Sequence, residues 1–107
     1  MTGAKWDDGK AEYAFLQSEV IEEVLKIYAG GAKKYGLGNY QKGIHYSRVF
    51  SAAMRHLWAW WRGQDLDEES GLSHLSHALW NIMTLLEYVK RGTYSGFDDR
   101  GNYRGGQ

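Results

Sequence analysis

The chain contains no cysteine and no proline. The first absence excludes disulfides, thiolate zinc sites and cysteine nucleophiles together. The second leaves helices free of their strongest breaker, with 14 glycines supplying the punctuation instead. Net charge is also missing. Thirteen basic and thirteen acidic residues cancel, so no whole-chain field favours nucleic acid or a membrane surface. No apolar run approaches the roughly 20 residues that span a bilayer, and the first residues lack a secretory apolar segment. The cytoplasm is therefore the expected compartment, with no nucleic-acid or membrane partner. Neither GxSxG nor GxxxxGK[ST] occurs, which excludes the serine nucleophile elbow and the P-loop.

What is present is a chain of 107 residues, 43% hydrophobic and 24% charged, the proportions of one small folded domain. Apolar spacing predicts three helices. Residues 1–17 form an arm anchored by Trp6, Tyr13, Phe15 and Leu16, with a turn at Asp7-Asp8-Gly9-Lys10. The first helix is expected to begin at Ser18, a good N-cap residue, and to run toward Tyr28 or beyond. Its apolar face would be Val20, Ile21, Val24, Leu25, Ile27 and Tyr28. A glycine-rich connection follows at 30–43. The second helix fits 46–62, with Val49, Phe50, Ala53, Met54, Leu57 and Trp61 on one side and Gly63 ending it. After an acidic loop at 64–71, the third runs from about Leu72 to Val89. On it Leu75, Leu79, Ile82 and Leu86 align, with Met83 and Val89 beside them. Residues 1–92 then make the domain. The remainder, 93–107, is too polar and glycine-rich for a helix, and reads as a flexible tail or a strap that orders against a partner.

Three helices this rich in tryptophan carry more apolar surface than they can hide among themselves. Trp58, Trp60 and Trp61 span roughly 160° around the second helix at about 100° per residue. A homo-oligomer, dimer or tetramer, is the expected solution, the alternative being that arm and tail cover the excess.

Three polar groupings border this apolar core. On the third helix His74, His77, Asn81 and Tyr88 fall in one narrow stripe, and His74 and His77 at i, i+3 can share a ligand or simply hydrogen-bond each other. On the first helix Glu19 pairs with Glu22 as ExxE and with Glu23 at i, i+4. Either pair can grip Mg²⁺ or Mn²⁺ through oxygen, although acids in a first turn are also favoured by the helix dipole alone. The wheel favours Glu19 and Glu23. The loop adds Asp65, Asp67, Glu68 and Glu69. Arg48, Arg55 and Arg62 line one side of the second helix, as phosphate ligands or as a solvated face, and His56 beside Arg55 faces either core or site. Lys33, Lys34 and Lys42 lie in the glycine-rich connection, where backbone N–H groups can approach phosphate oxygens.

The segments DDGK at 7–10, GAKKYG at 31–36, RHLWAWWRGQDLDEESG at 55–71 and HLSHALWN at 74–81 are long, ordered and spaced as in one family. Over about residues 6–90 the chain resembles the dATP/dGTP diphosphohydrolase N-terminal domains, relatives of the all-α MazG-type nucleotide pyrophosphohydrolases. More narrowly it is similar to the (d)GTP diphosphohydrolases of phages that replace adenine by 2-aminoadenine. The resemblance implies an all-α helical bundle completed by oligomerisation. It also implies Mg²⁺- or Mn²⁺-dependent hydrolysis of dGTP, and of GTP, to the monophosphate and pyrophosphate. In MazG-type enzymes an ExxE pair and a later ExxD pair hold the metals. The first pair matches Glu19 and Glu22, which makes them the expected catalytic and metal residues, with Glu23 the competitor. Where ExxD should stand the chain has His74-Leu75-Ser76-His77. Either these imidazoles are ligands, which tilts preference toward Mn²⁺, or Asp65, Asp67 and Glu69 reach in from the loop. By side-chain type, Lys33, Lys42, Arg48 and Arg55 are the phosphate candidates. Asn39 and Asn81 can pair with a purine edge, and Trp80 or Tyr40 can stack on it. The missing ExxD keeps a second reading open, a non-catalytic oligomeric interaction module.

Overall fold

The computed structural model describes residues 9–35 and 39–104, with the side chains of 32–35 and 39 left aside. Among the described residues the architecture is all-α. Helix α1 spans Ser18–Tyr35, α2 Tyr46–Trp61 and α3 His74–Arg91, joined and flanked by single turns of 3₁₀ helix. The expected helices are all present with ends shifted by at most two residues, except at the C-terminus of α1. There the helix passes through Gly30 and Gly31 to Tyr35, so the glycine-rich connection is shorter than the composition suggests. Two helical glycines cost about 1 kcal/mol each, and the alanines and lysines around them are good enough helix formers to carry the turn through. No described helix is long and apolar enough to cross a membrane.

Contacts between ends fix the topology. Tyr46 at the start of α2 stacks on Tyr88 near the end of α3, with ring centroids 5.9 Å apart, while His56 late in α2 meets His74 at the start of α3. The two helices are therefore antiparallel. Helix α1 runs parallel to α3, because Glu23 reaches Ser73 and Tyr28 reaches Trp80. Tyr46, Val49 and Tyr88 form the packed centre, with Ile44, Leu85, Tyr94 and Phe97 closed around it. Tyr88 is fully buried, and desolvation, with Tyr94 and Glu87 adding to it, pushes its hydroxyl up to about 12.

Which face of α3 is inward differs from the apolar pattern. His74, Ala78, Asn81, Thr84 and Tyr88 are buried, whereas Leu75, Ile82, Leu86 and Val89 are exposed. The two stripes lie roughly 120° apart at about 100° per residue. The residues that border the leucine stripe, not the stripe itself, make the seam with α2. On α2 the inward residues are Tyr46, Val49, Ala53 and Ala59, and Phe50 and Trp61 of the expected face point outward. Among the described side chains of α1 Val24 is the buried one, while Val20 and Leu25 are exposed.

The segment after Gly92 orders against its own chain. Gly92 closes α3 in the left-handed region at φ +74°, its N–H donating to the Tyr88 carbonyl. Tyr94 and Phe97 then fold back over the core, and the Tyr94 hydroxyl donates to the Gln41 carbonyl. Asp99 supplies the cap that His45 does not: its carboxylate accepts from the Ser47 N–H at 2.9 Å and from the Ser47 hydroxyl. Those two bonds hold its carboxyl below the usual range. Of the expected arm, Tyr13, Phe15 and Leu16 are exposed, and Trp6 lies outside the described residues.

The closure of this strap rests on Gly43, which has φ +101° and faces the Phe97 ring so closely that a Cβ would overlap it. Gly43→Ala is expected to destabilise the fold by about 2 kcal/mol through backbone strain and overlap. In a double-mutant cycle with Phe97→Ala the overlap component should vanish, so additive costs in denaturant titrations would refute the contact.

Candidate functional site

The end of the α2–α3 seam opposite the tyrosines is polar. His56 lies on the register of Tyr46, Val49, Ala53 and Ala59, which turns its ring into the seam. There its Nδ1 sits 2.8 Å from the Nδ1 of His74. His77, one turn on, stacks on His56 with ring centroids 4.6 Å apart and planes 12° from parallel. Asp67 comes from the acidic loop, its Oδ2 lying 3.8 Å from His77 Nε2. Ligand atoms of His56, Asp67 and His74 lie within 4.8 Å of one another. Three imidazoles and a carboxylate thus converge where two helices and a loop meet.

The loop is built to hold that carboxylate. Gly63 at φ +97° lets the chain leave α2, and Gly71 at φ +73° turns it back toward α3. Between them the Asp67 N–H donates to the Leu72 carbonyl and the Gly71 N–H to the Asp67 carbonyl, both at 2.8 Å. The Ser70 N–H donates to Asp67 Oδ2 at 2.9 Å, and the Ser70 hydroxyl meets His77 Nε2 at 2.7 Å. Downstream, the His74 N–H donates to the Asp65 carbonyl, which fixes the first turn of α3 against the loop.

Glu23 of α1 reaches the same region by another route. Its Oε2 accepts from the Ser73 N–H at 3.2 Å and from the Ser76 hydroxyl, so it caps α3 from a neighbouring helix. Ser73 adds the local cap, accepting from the Leu75 N–H at 3.0 Å. Glu19, one turn before Glu23, and Glu22 are exposed; the hydroxyl of Ser18 lies 3.3 Å from the Glu19 carboxylate. Within this chain the structure therefore brings together Asp67, His74 and His77, sets Glu23 beside them as a cap, and leaves Glu19 and Glu22 on the surface of α1.

The substrate candidates are spread more widely. Lys42, Arg48 and Arg55 are exposed, and the Lys33 and Asn39 side chains lie outside the described residues. Asn81 is buried and donates from Nδ2 to the His77 carbonyl at 2.8 Å. Trp80 packs edge-on with Tyr28 at 5.5 Å and Tyr40 at 6.1 Å. That is a filled aromatic cluster, without a parallel slot between Trp80 and Tyr40 for a base. Asp65 and Glu69 are exposed on the loop.

Burial pushes His56 below its ordinary value of 6.5, and the neighbouring His77 and His74 reinforce that against the opposing pull of Asp67. Burial also lowers His77, again against Asp67. For Asp67 burial acts upward, but the Ser70 N–H and hydroxyl, then His77 and His56, outweigh it and hold the carboxyl low. At neutral pH His56 and His77 are therefore uncharged imidazoles beside an ionised carboxylate, the donor chemistry a divalent cation takes. His56 is the member that residue type alone leaves undecided between core and site. Its spacing of three from both Ala53 and Ala59 is the signal for it.

An all-α domain with imidazoles and carboxylates gathered at a helix seam is what fold and site define. The chain belongs to the family described as dATP/dGTP diphosphohydrolase, N-terminal, which it matches over residues 1–100. It is 39% identical over 100 residues to a protein of Salmonella phage PMBT28 named dATP/dGTP diphosphohydrolase. That alignment covers 94% of this chain and 33% of the relative, so the chain spans about a third of the length of the curated relative it matches. No solved structure matches the chain.

Because His56 and His77 titrate below 6.5 in the fold, the unfolded chain takes up their protons first as pH falls. Their contribution to stability is full above about 6.5 and is lost as pH drops through the folded values. In metal-free buffer the unfolding midpoint should decline below about pH 6.5, and His56→Gln should flatten that slope. An unchanged slope in the variant would contradict the buried, neutral state of His56.

Proposed function

We propose that this chain is the catalytic domain of a metal-dependent nucleoside triphosphate diphosphohydrolase. It converts dGTP, and with it GTP, to the nucleoside monophosphate and pyrophosphate, in the 2-aminoadenine nucleotide metabolism of a phage, within the host cytoplasm. The observation that carries the reading is the convergence of Asp67, His74 and His77 beside the Glu23 end of α1, in a chain of the diphosphohydrolase family. The phage relative's name supports a purine deoxynucleoside triphosphate as substrate.

Mg²⁺ or Mn²⁺ is the cofactor of this reading, and the donor set fits one. Imidazole nitrogens and a carboxylate held ionised stand within a few ångströms of each other. A bound ion would neutralise phosphate oxygens and lower the pKa of an attacking water. Glu19 and Glu22, open on α1, are the carboxylates available to complete the ligand set and to orient that water. Arg48, Arg55 and Lys42 are exposed cations able to take the outer phosphates.

Assembly belongs to the same reading. Leu75, Ile82, Leu86 and Val89 of α3, with Phe50 and Trp61 of α2, are exposed, Trp61 to 72%. Monomers rarely leave apolar patches of more than a few hundred Å² uncovered. A second copy of this chain covers the α3 stripe, as a dimer or a dimer of dimers. One observation favours a non-catalytic interaction module instead: the Glu23 carboxylate is taken up in capping α3.

Incubation of the purified protein with each nucleoside triphosphate and Mg²⁺ or Mn²⁺ should release dGMP and pyrophosphate from dGTP, and EDTA should abolish it. Glu19→Gln should cut turnover by about a hundredfold or more while leaving the helical circular dichroism intact. No turnover of any nucleotide would leave the interaction module standing. Sedimentation of the same sample should show a dimer or tetramer that Leu86→Glu dissociates, and a monomeric wild type would contradict the assembly.

A further inference from the structure

The polar end of the seam contains a donor, His56, that the ExxE and HxxH patterns do not include. We propose that His56, His74 and Asp67 form a nitrogen-rich divalent-metal site that selects Mn²⁺, Co²⁺ or Zn²⁺ over Mg²⁺, with His77 and Ser70 as positioning groups. The inference deepens the proposed function at the same site, but its test does not depend on turnover.

Geometry separates ligands from supports. The Nδ1 atoms of His56 and His74 face each other at 2.8 Å, and a ring nitrogen of each lies within 4.8 Å of a carboxylate oxygen of Asp67. An ion about 2.1 Å from each nitrogen needs them roughly 3.0–3.4 Å apart. The pair then opens by a few tenths of an ångström, and the Asp67 carboxylate closes in on the same ion. The three donors come from three places, α2, α3 and the loop, and so surround a point instead of lining one helix face. His77 is arranged differently. Its ring stacks on His56 and its Nε2 is engaged by the Ser70 hydroxyl. The Ser70 N–H in turn donates to Asp67. His77 and Ser70 thus orient two of the three ligands, as outer partners of metal ligands do. Glu23 is committed to Ser73 and Ser76 and stands outside the set.

The donor types decide the ion. Mg²⁺ prefers six oxygens and gives up water reluctantly, whereas imidazole nitrogen favours Mn²⁺ modestly and Co²⁺ and Zn²⁺ strongly. Three protein donors leave positions free for water or a phosphate oxygen.

The test uses metal alone on chelator-treated full chain. Calorimetric titration with Co²⁺ should give one strong site per chain. Mg²⁺ should fail to compete at a hundredfold excess. In the wild-type protein, paramagnetic Co²⁺ should shift the ring signals of His56 and His74 and spare His45, a readout that needs no variant. His56→Gln should weaken Co²⁺ binding about tenfold or more, with folding checked by circular dichroism, while His45→Gln leaves it unchanged. Stoichiometric Co²⁺ binding that leaves the His56 signals in place overturns the proposal, as does equal competition by Mg²⁺ or loss of binding in His45→Gln. Metal binding as described without nucleotide turnover would sustain this site and sink the enzymatic reading. Mg²⁺-driven turnover without imidazole shifts would do the reverse.

Discussion

The antiparallel contact of α2 with α3 organises the molecule, and it is made by polar and aromatic side chains more than by aliphatic ones. At one end Tyr46 stacks on Tyr88 beneath the C-terminal strap, and at the other His56 meets His74 beneath the acidic loop. Burying imidazoles is costly unless their nitrogens find partners. The loop answers that requirement, with Ser70 bonded to His77 and to Asp67, and Asp67 set beside the imidazoles. The features that keep the seam folded are the features that gather metal-type ligands in one place.

The same choice of face explains the surface. With Ala78, Asn81, Thr84 and Tyr88 turned inward, the leucine and isoleucine stripe of α3 is left exposed by the described residues, and Leu86 is 53% exposed. Small and polar residues inside permit close helix approach, while the larger aliphatic surface faces outward. The proposed function, with the polar seam kept for chemistry and the aliphatic stripe for a second copy, would reconcile a small core with an ordinary hydrophobic content.

Much of this was legible in the residues. Three helices, the acidic loop between the second and third, and the shared stripe of His74 and His77 follow from period, glycine placement and residue type, whereas Asp67 is one of several loop carboxylates that stand as an alternative to those imidazoles. The inward face of α3 did not, because hydrophobic periodicity reports which face avoids water, not whether a neighbouring helix or a neighbouring subunit covers it. A strap is one of the two readings of the tail, but that it orders against its own chain is not legible: Asp99 caps Ser47 across 52 positions, and a tail's composition carries no record of so distant a partner. Helix α1 continues beyond Tyr28 to Tyr35 because the helix formers flanking Gly30 and Gly31 outweigh the two glycines. His56 is legible as a seam residue in its register with Ala53 and Ala59, not in its neighbour Arg55.

Whether the seam is a metal centre can be observed directly. Crystals soaked with Mn²⁺ and measured near its absorption edge should show an anomalous peak between the Nδ1 atoms of His56 and His74 and the carboxylate of Asp67. A peak confined to Glu19 and Glu22 on α1, with the imidazole pair still in hydrogen-bond contact, would contradict the account.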